Sequence, residues 1–229
     1  MARRRMTTPT APIRMSTEAP ALALIQWLSP AFPLGSFAYS HGLEAAVAEG
    51  AVRDAGQLED WLDAVLHDGA GRTDAIWLRL AHAASDEAAL TALDAEARAF
   101  AGARERLVEA ERQGAAFART VGAVWGHALP PLLLPLAVGR ATVLQGQAAE
   151  AVLPLYLHAF MANLAAAAQR LMPLGQTAAQ AIVARRAPGI AAVVGETRGA
   201  TLDDIATRAI AAEIAALRHE TLEPRIFAT

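Results

Sequence analysis

The side chains of this 229-residue chain that could do chemistry are few and scattered. There are six histidines, His41, His67, His82, His127, His158 and His219. No two stand four apart, the spacing that would turn two imidazoles toward one metal from one helix face. With no Cys and no Lys in the chain, disulfides, a thiol nucleophile, thiolate metal sites, a Walker lysine, a Schiff base and a Ser-Lys dyad are all excluded. No G-x-S-x-G and no glycine-rich dinucleotide fingerprint occurs. Asp203-Asp204 reads as a helix cap rather than an acid/base pair. His41 and Glu44 can share a helix face, either as ligands or as a structural pair, and no second ligand lies near them in sequence. His219 and Glu220 are adjacent and diverge on a helix. Gln176 and Gln180 stand one turn apart and form either a polar internal face or a solvated one.

The densest collection of polar groups lies in the stretch Ser29-Pro30-Ala31-Phe32-Pro33-Leu34-Gly35-Ser36-Phe37-Ala38-Tyr39-Ser40-His41-Gly42-Leu43-Glu44. Two prolines and two glycines break an otherwise apolar run. The residues between them read either as a loop entering a helix capped by Ser40, with Glu44 favoured by the helix dipole, or as a shaped surface for a partner.

The elements that must position these groups are helices. Ala19 to Leu28 ends before Ser29-Pro30, and Gly42 to Glu49 ends at Gly50. Asp54-x-x-Gln57 resembles a capping box ahead of a helix to Asp68, whose Leu58, Trp61, Leu62, Val65 and Leu66 step by three and four. Thr73 or Asp74 is expected to cap a helix from Ala75 to Ala84, and Ser85 one from Asp86 to Ala99. A long helix, Glu105 to Val124, turns Leu107, Ala110, Gly114, Phe117 and Val121 inward, and close helix contact is expected at Gly114 and Gly122. Pro130-Pro131 start a helix to about Gln147, and Pro154 is expected near the N1 position of one running to Leu171. Thr177 to Arg186 is helical, Pro188-Gly189 breaks the chain into a loop through Gly199, and Asp203 or Asp204 caps a last helix to about Leu217. No segment shows sustained period-two alternation. The fold class is all-α, a single-domain bundle of about nine or ten helices over residues 19–229, preceded by a disordered tail over 1–18.

Hydrophobic residues make up 54% of the chain, enough for a substantial core. A net charge of -3 and 5% aromatic residues give no basic, stacking footprint, which argues against a nucleic-acid partner. Ala151 to Ala168 approaches spanning length, but Pro154, His158 and Asn163 interrupt it, so it reads as a buried core helix and no membrane partner is expected. The basic N-terminus is followed by no apolar secretory core, so a cytoplasmic protein is expected. The last stretch, His219 to Phe227, places Leu222, Ile226 and Phe227 between charges. Apolar residues there imply docking, on this domain or on another protein.

Three segments together resemble the UreF family of urease accessory proteins. The first runs Leu24-Ile25-Gln26-Trp27-Leu28 and on through Glu44, similar to the family's leucine-rich helix followed by S-P-x-x-P-x-G-x-F-x-Y-S-H-G-L-E. The second is Pro173-Leu174-Gly175-Gln176 with Gln180, and the third is His219-Glu220 followed by Arg225-Ile226-Phe227. The chain departs from the pattern at Ile226, where Leu is usual, and at Ala228-Thr229, where a basic residue and Ser are common. The resemblance implies a non-catalytic, all-α homodimer without a cofactor of its own, which binds UreD (also called UreH) and the GTPase UreG and engages the urease apoprotein while nickel is inserted. It implies partner-binding roles for Tyr39, Ser40, His41, Glu44, Gln176, Gln180, His219, Glu220, Arg225 and Phe227, with Tyr39 and Arg225 recruiting UreG. An alternative is that Arg225 acts as an arginine finger that stimulates UreG. A third alternative is direct nickel binding by His41 or His219. The opening stretch and the terminal stretch are expected to lie together as two halves of one surface.

Overall fold

Periodic apolar spacing becomes buried helix faces throughout the computed structural model, which describes residues 19–229. The tail expected over 1–18 lies outside the described residues. Eleven α-helices are present among them: α1 Ala19–Trp27, α2 Leu43–Ala48, α3 Ala55–His67, α4 Ala70–Ala83, α5 Glu87–Phe100, α6 Arg104–Trp125, α7 Leu134–Leu144, α8 Ala149–Leu171, α9 Gln176–Arg185, α10 Ala187–Glu196 and α11 Ile210–His219. Two 3-10 turns, Ser36–Ala38 and Leu202–Asp204, complete the regular structure, and no strand occurs among the described residues. The all-α expectation holds.

Local chemistry explains where helices begin. Asp54 accepts the Gln57 N–H at 2.9 Å, which is half of the expected capping box; the Gln57 side chain accepts the Arg53 N–H at 2.8 Å, one residue before the cap, instead of the N–H of Asp54. Other starts differ from expectation. Asp86, not Ser85, caps α5 by accepting the Ala89 N–H at 2.8 Å. Helix α4 starts at Ala70, so Thr73 and Asp74 lie inside it. The small residues after His67 let α4 begin directly against the end of α3: a Cβ on Gly71 would stand 2.7 Å from Leu66. Pro188 opens α10 instead of ending a helix, because its fixed φ suits a first turn. Pro154 lies in the second turn of α8 rather than at its start. Asp204 closes a capping box with Thr201 around the second 3-10 turn, and α11 starts only at Ile210.

Helix α8 is the centre of the bundle, packed against α1, α2, α3, α4, α7, α9 and α10. It is the one described helix long and apolar enough to cross a membrane, and half of its most apolar window is buried inside the fold. Helices α4, α7 and α6 form a layer on one side, and α2 and α11 pack together at a corner that α6 also touches. Gly114 of α6 fits against the segment entering α7, where a Cβ would lie 2.1 Å from the Leu132 carbonyl oxygen. Gly122 makes no such approach; its Cβ would meet nothing nearer than the His127 carbonyl at 3.5 Å. Trp27 of α1 packs edge-on to Phe117 and Trp125, with ring centroids 5.5 and 5.6 Å apart, and fixes the point from which the opening stretch leaves the core.

Candidate functional site

The opening stretch turns back on the core through two consecutive left-handed residues, His41 at φ 57° and Gly42 at φ 78°. Gly42 also meets α11 so closely that a Cβ would lie 2.8 Å from the Ala216 nitrogen. The left-handed conformation and the contact both require glycine there. Gly42 occupies the cap position, while the Ser40 hydroxyl accepts the Glu44 N–H at 3.2 Å, and α2 begins at Leu43 with its first turn facing the chain's last residues.

Those last residues are laced to α2 and α6. Glu44 Oε1 accepts the Ile226 N–H at 2.7 Å, and Oε2 accepts the Phe227 N–H at 2.9 Å and lies 3.0 Å from His219 Nε2. His219 Nδ1 lies 2.7 Å from Glu105 Oε2, and the other Glu105 oxygen pairs with Arg225. His219 is 0% exposed. Both its nitrogens face carboxylate oxygens. Arg225 Nη1 also donates to the His219 carbonyl at 3.3 Å. The Glu220 carboxylate accepts the Arg104 N–H at 2.8 Å and so satisfies the first donor of α6. Burial pushes the Glu44 carboxyl up, but the His219 ring and the Ile226 and Phe227 amides outweigh it and leave the carboxyl below its ordinary value of 4.5.

The final residues close the joint. Ser40 donates from its N–H to the Thr229 carbonyl at 2.9 Å, and its hydroxyl donates to the same oxygen. The His41 N–H reaches the Thr229 hydroxyl at 3.3 Å, which donates to Glu109 at 3.0 Å. Phe227 is buried, with the Arg170 guanidinium 4.1 Å above its ring; Arg170 also donates to the Phe37 carbonyl at 2.7 Å. The departure at Ala228-Thr229 therefore does not loosen the tail.

The structure thus brings Ser40, His41, Glu44, His219, Glu220, Arg225 and Phe227 together, and opening and terminal stretches form one joint. Two expectations need correction. Tyr39 is only 7% exposed, with its carbonyl accepting from Asn163 at 3.4 Å, so its ring is not presented on the surface of this chain. His41 and Glu44 do not share a face: the His41 ring packs on Phe160, centroids 5.0 Å apart, while Glu44 turns to His219. Gln176 and Gln180 are both exposed, at the start and in the middle of α9, away from the joint; of the two, only Gln180 lines a cavity.

That cavity, about 660 Å³, is lined by the opening stretch, α4, α6 and α8. Burial lowers the His41 imidazole well below its ordinary value, and the Arg106 guanidinium adds to this. Its Nδ1 has no hydrogen-bond partner among the described residues. On the cavity wall Tyr156 donates to Asp74 at 2.6 Å, and burial raises the Asp74 carboxyl to about 6 against that hydrogen bond. Among the described residues no three His, Asp or Glu are grouped to hold a metal. Glu105, Glu109 and Arg170 were not singled out from sequence, and Asn163 and Thr229 were noted only as an interruption of an apolar run and a departure from the family pattern. One signal was available: Glu109 and Gln113 fall on the same line of α6 as Phe117, polar positions on a core face.

A family model described as UreF matches residues 52–187, more than half of the chain. The urease accessory protein UreF of Cereibacter sphaeroides is 53% identical over 211 residues, covering 92% of this chain and 99% of its own. That of Roseobacter denitrificans is 47% identical over 224 residues, covering 98% and 100%, and that of Ruegeria pomeroyi is 42% identical over 213 residues, covering 93% and 98%. Family model, relatives and the helical fold agree that the chain belongs to the UreF family of urease accessory proteins.

Proposed function

We propose that this chain is a non-catalytic, cytoplasmic adaptor in urease maturation. It binds UreD (UreH) and recruits the GTPase UreG to it and to the urease apoprotein, with nickel as the cargo of the complex rather than a resident cofactor. A homodimer is part of this reading. The observation that carries it is the joint. Glu220 and Arg225 lie at the surface, each anchored by one bond to α6, over a buried lattice formed by Glu44, His219 and Phe227. A rigidly held Arg is a typical interface anchor, because little side-chain freedom is left to lose on binding. Tyr39, Ser40, His41, Glu44, His219 and Phe227 then act from beneath, by shaping the surface. Gln176 and Gln180 offer a separate exposed polar face.

The test replaces Arg225 and Glu220 by Ala, singly and together, in complex with UreD, and measures UreG retention. Retention falls on the order of tenfold or more for Arg225→Ala, as for an interface hot spot. Full retention by the double variant refutes the assignment. The pairing of Arg225 with Glu105 weighs against the arginine-finger alternative, since a finger must leave its resting partner to meet a phosphoryl group. GTP hydrolysis by UreG, unchanged or slowed when this chain is added, agrees with the adaptor; a large stimulation lost in Arg225→Ala supports the finger.

A further inference from the structure

We infer that Glu105 is the positioning residue for Arg225, and that the two carboxylates of the joint have separate tasks: Glu44 seats the backbone of the tail, and Glu105 aims its arginine. This rests on the reading of Arg225 as a partner contact. Glu44 spends both oxygens on main-chain N–H groups of Ile226 and Phe227, so it fixes where the tail runs and says nothing about the direction of any tail side chain. Glu105 touches no tail amide. One of its oxygens holds His219 at 2.7 Å and the other holds Arg225. His219 is fully buried and gripped from its far side by Glu44, so the Glu105 carboxylate is pinned at one oxygen and offers the other in a fixed direction.

An arginine side chain is long and rotatable, and the Arg225 side chain is 39% exposed. Its Nη1 is tied to Glu105 and to the His219 carbonyl, so one end of a part-exposed guanidinium is held in place. The tail does not need Glu105 to stay in place. Besides Glu44, it is held by Ser40 on the Thr229 carbonyl, by the Ala228 N–H on the Ala38 carbonyl at 2.8 Å, and by the buried Phe227. Removal of Glu105 therefore frees the guanidinium and leaves the strap seated, whereas removal of Glu44 unseats the strap.

The test uses the full chain, free and in complex with UreD and UreG, with Glu105→Ala, Glu105→Gln, Arg225→Ala, Glu44→Ala and the Glu105→Ala/Arg225→Ala double variant. In the free chain, the Arg225 Nε–H order parameter falls in Glu105→Ala, while amide exchange at Ile226 and Phe227 stays within a few-fold of wild type and rises at least tenfold only in Glu44→Ala. In the complex, Glu105→Ala weakens UreG retention on the order of tenfold, and the double variant is no weaker than Arg225→Ala alone, because both changes remove one pathway. A rigid Arg225 in Glu105→Ala, losses that add in the double variant, or loss of tail protection in both Glu105→Ala and Glu105→Gln overturns the inference. If Arg225→Ala itself retains UreG normally, the adaptor reading of Arg225 fails, and the order parameter still decides the positioning role.

Discussion

Glu44 accepts three hydrogen bonds while almost fully buried, and a carboxylate in that setting is costly to disturb. Glu44→Ala leaves two tail amides and the His219 ring without their acceptor, which on the scale of a broken buried pair destabilises by about 3–5 kcal/mol. Chemical denaturation of both proteins checks this. The pH dependence follows from the lowered carboxyl. Its folded pKa lies below the unfolded value of 4.5, so the unfolded chain binds more protons and the contribution is present above pH 4.5. It is lost as pH falls through the folded pKa, so Ile226 and Phe227 amides exchange faster there than at pH 6 after correction for intrinsic rates. Asp74 has the opposite sign. Burial raises its carboxyl from 3.8 to about 6, so the folded chain holds the extra proton and this group's contribution falls as pH rises between those values. Asp74→Asn keeps an acceptor for Tyr156 and removes the charge. Relative to wild type its stability rises between pH 4 and pH 7 by about 2–3 kcal/mol, measured by denaturation at each pH. Neither carboxyl announced its role in the sequence. Glu44 follows a glycine in a plausible first turn, as an ordinary dipole-favoured acid does, and only the return of a segment 182 residues away makes it a clamp.

Helices were legible where periodicity and caps agreed, as in α3 with its Asp54 cap, and illegible where proline was read as a stop. Pro188 starts a helix because a first-turn residue needs no N–H partner. The two glycines of α6 show what pattern alone leaves open, since both interrupt the same periodic face. Gly114 lies against the α7 entry, where a Cβ would stand 2.1 Å from a backbone carbonyl that cannot swing away. Gly114→Ala therefore forces α6 and the Leu132–Leu134 segment apart and destabilises by about 1–3 kcal/mol as overpacking. Gly122 has room for a methyl group at ordinary contact distance, so Gly122→Ala gains helix propensity of about 0.5–1 kcal/mol. Opposite shifts in melting temperature from two identical substitutions eight residues apart on one helix check the packing directly. Two shifts of the same sign contradict it.

At the scale of the whole molecule, a bundle centred on α8 is closed at one corner by its own last ten residues. The match of opening and terminal segments to one family pattern made their union legible; the members of the union were not, because burial of Tyr39 and the recruitment of Glu105 depend on how α6 and α11 cross. The corner also bounds the cavity. His41 stands on its wall with its backbone tied to Thr229, and Ser40 is tied to the same residue. Removing residues 220–229 deletes these ties together with Phe227 and the Glu220 cap on α6, but touches no contact between α8 and its seven helical neighbours. Helix content by far-ultraviolet circular dichroism is then retained. The loss falls on the opening stretch: Ser40, His41 and Gly42 amides exchange at least tenfold faster, and an apolar dye enters the opened cavity. Exchange at those three amides unchanged by the truncation would mean that the opening stretch holds its left-handed turn unaided, and that the tail only covers a joint already made.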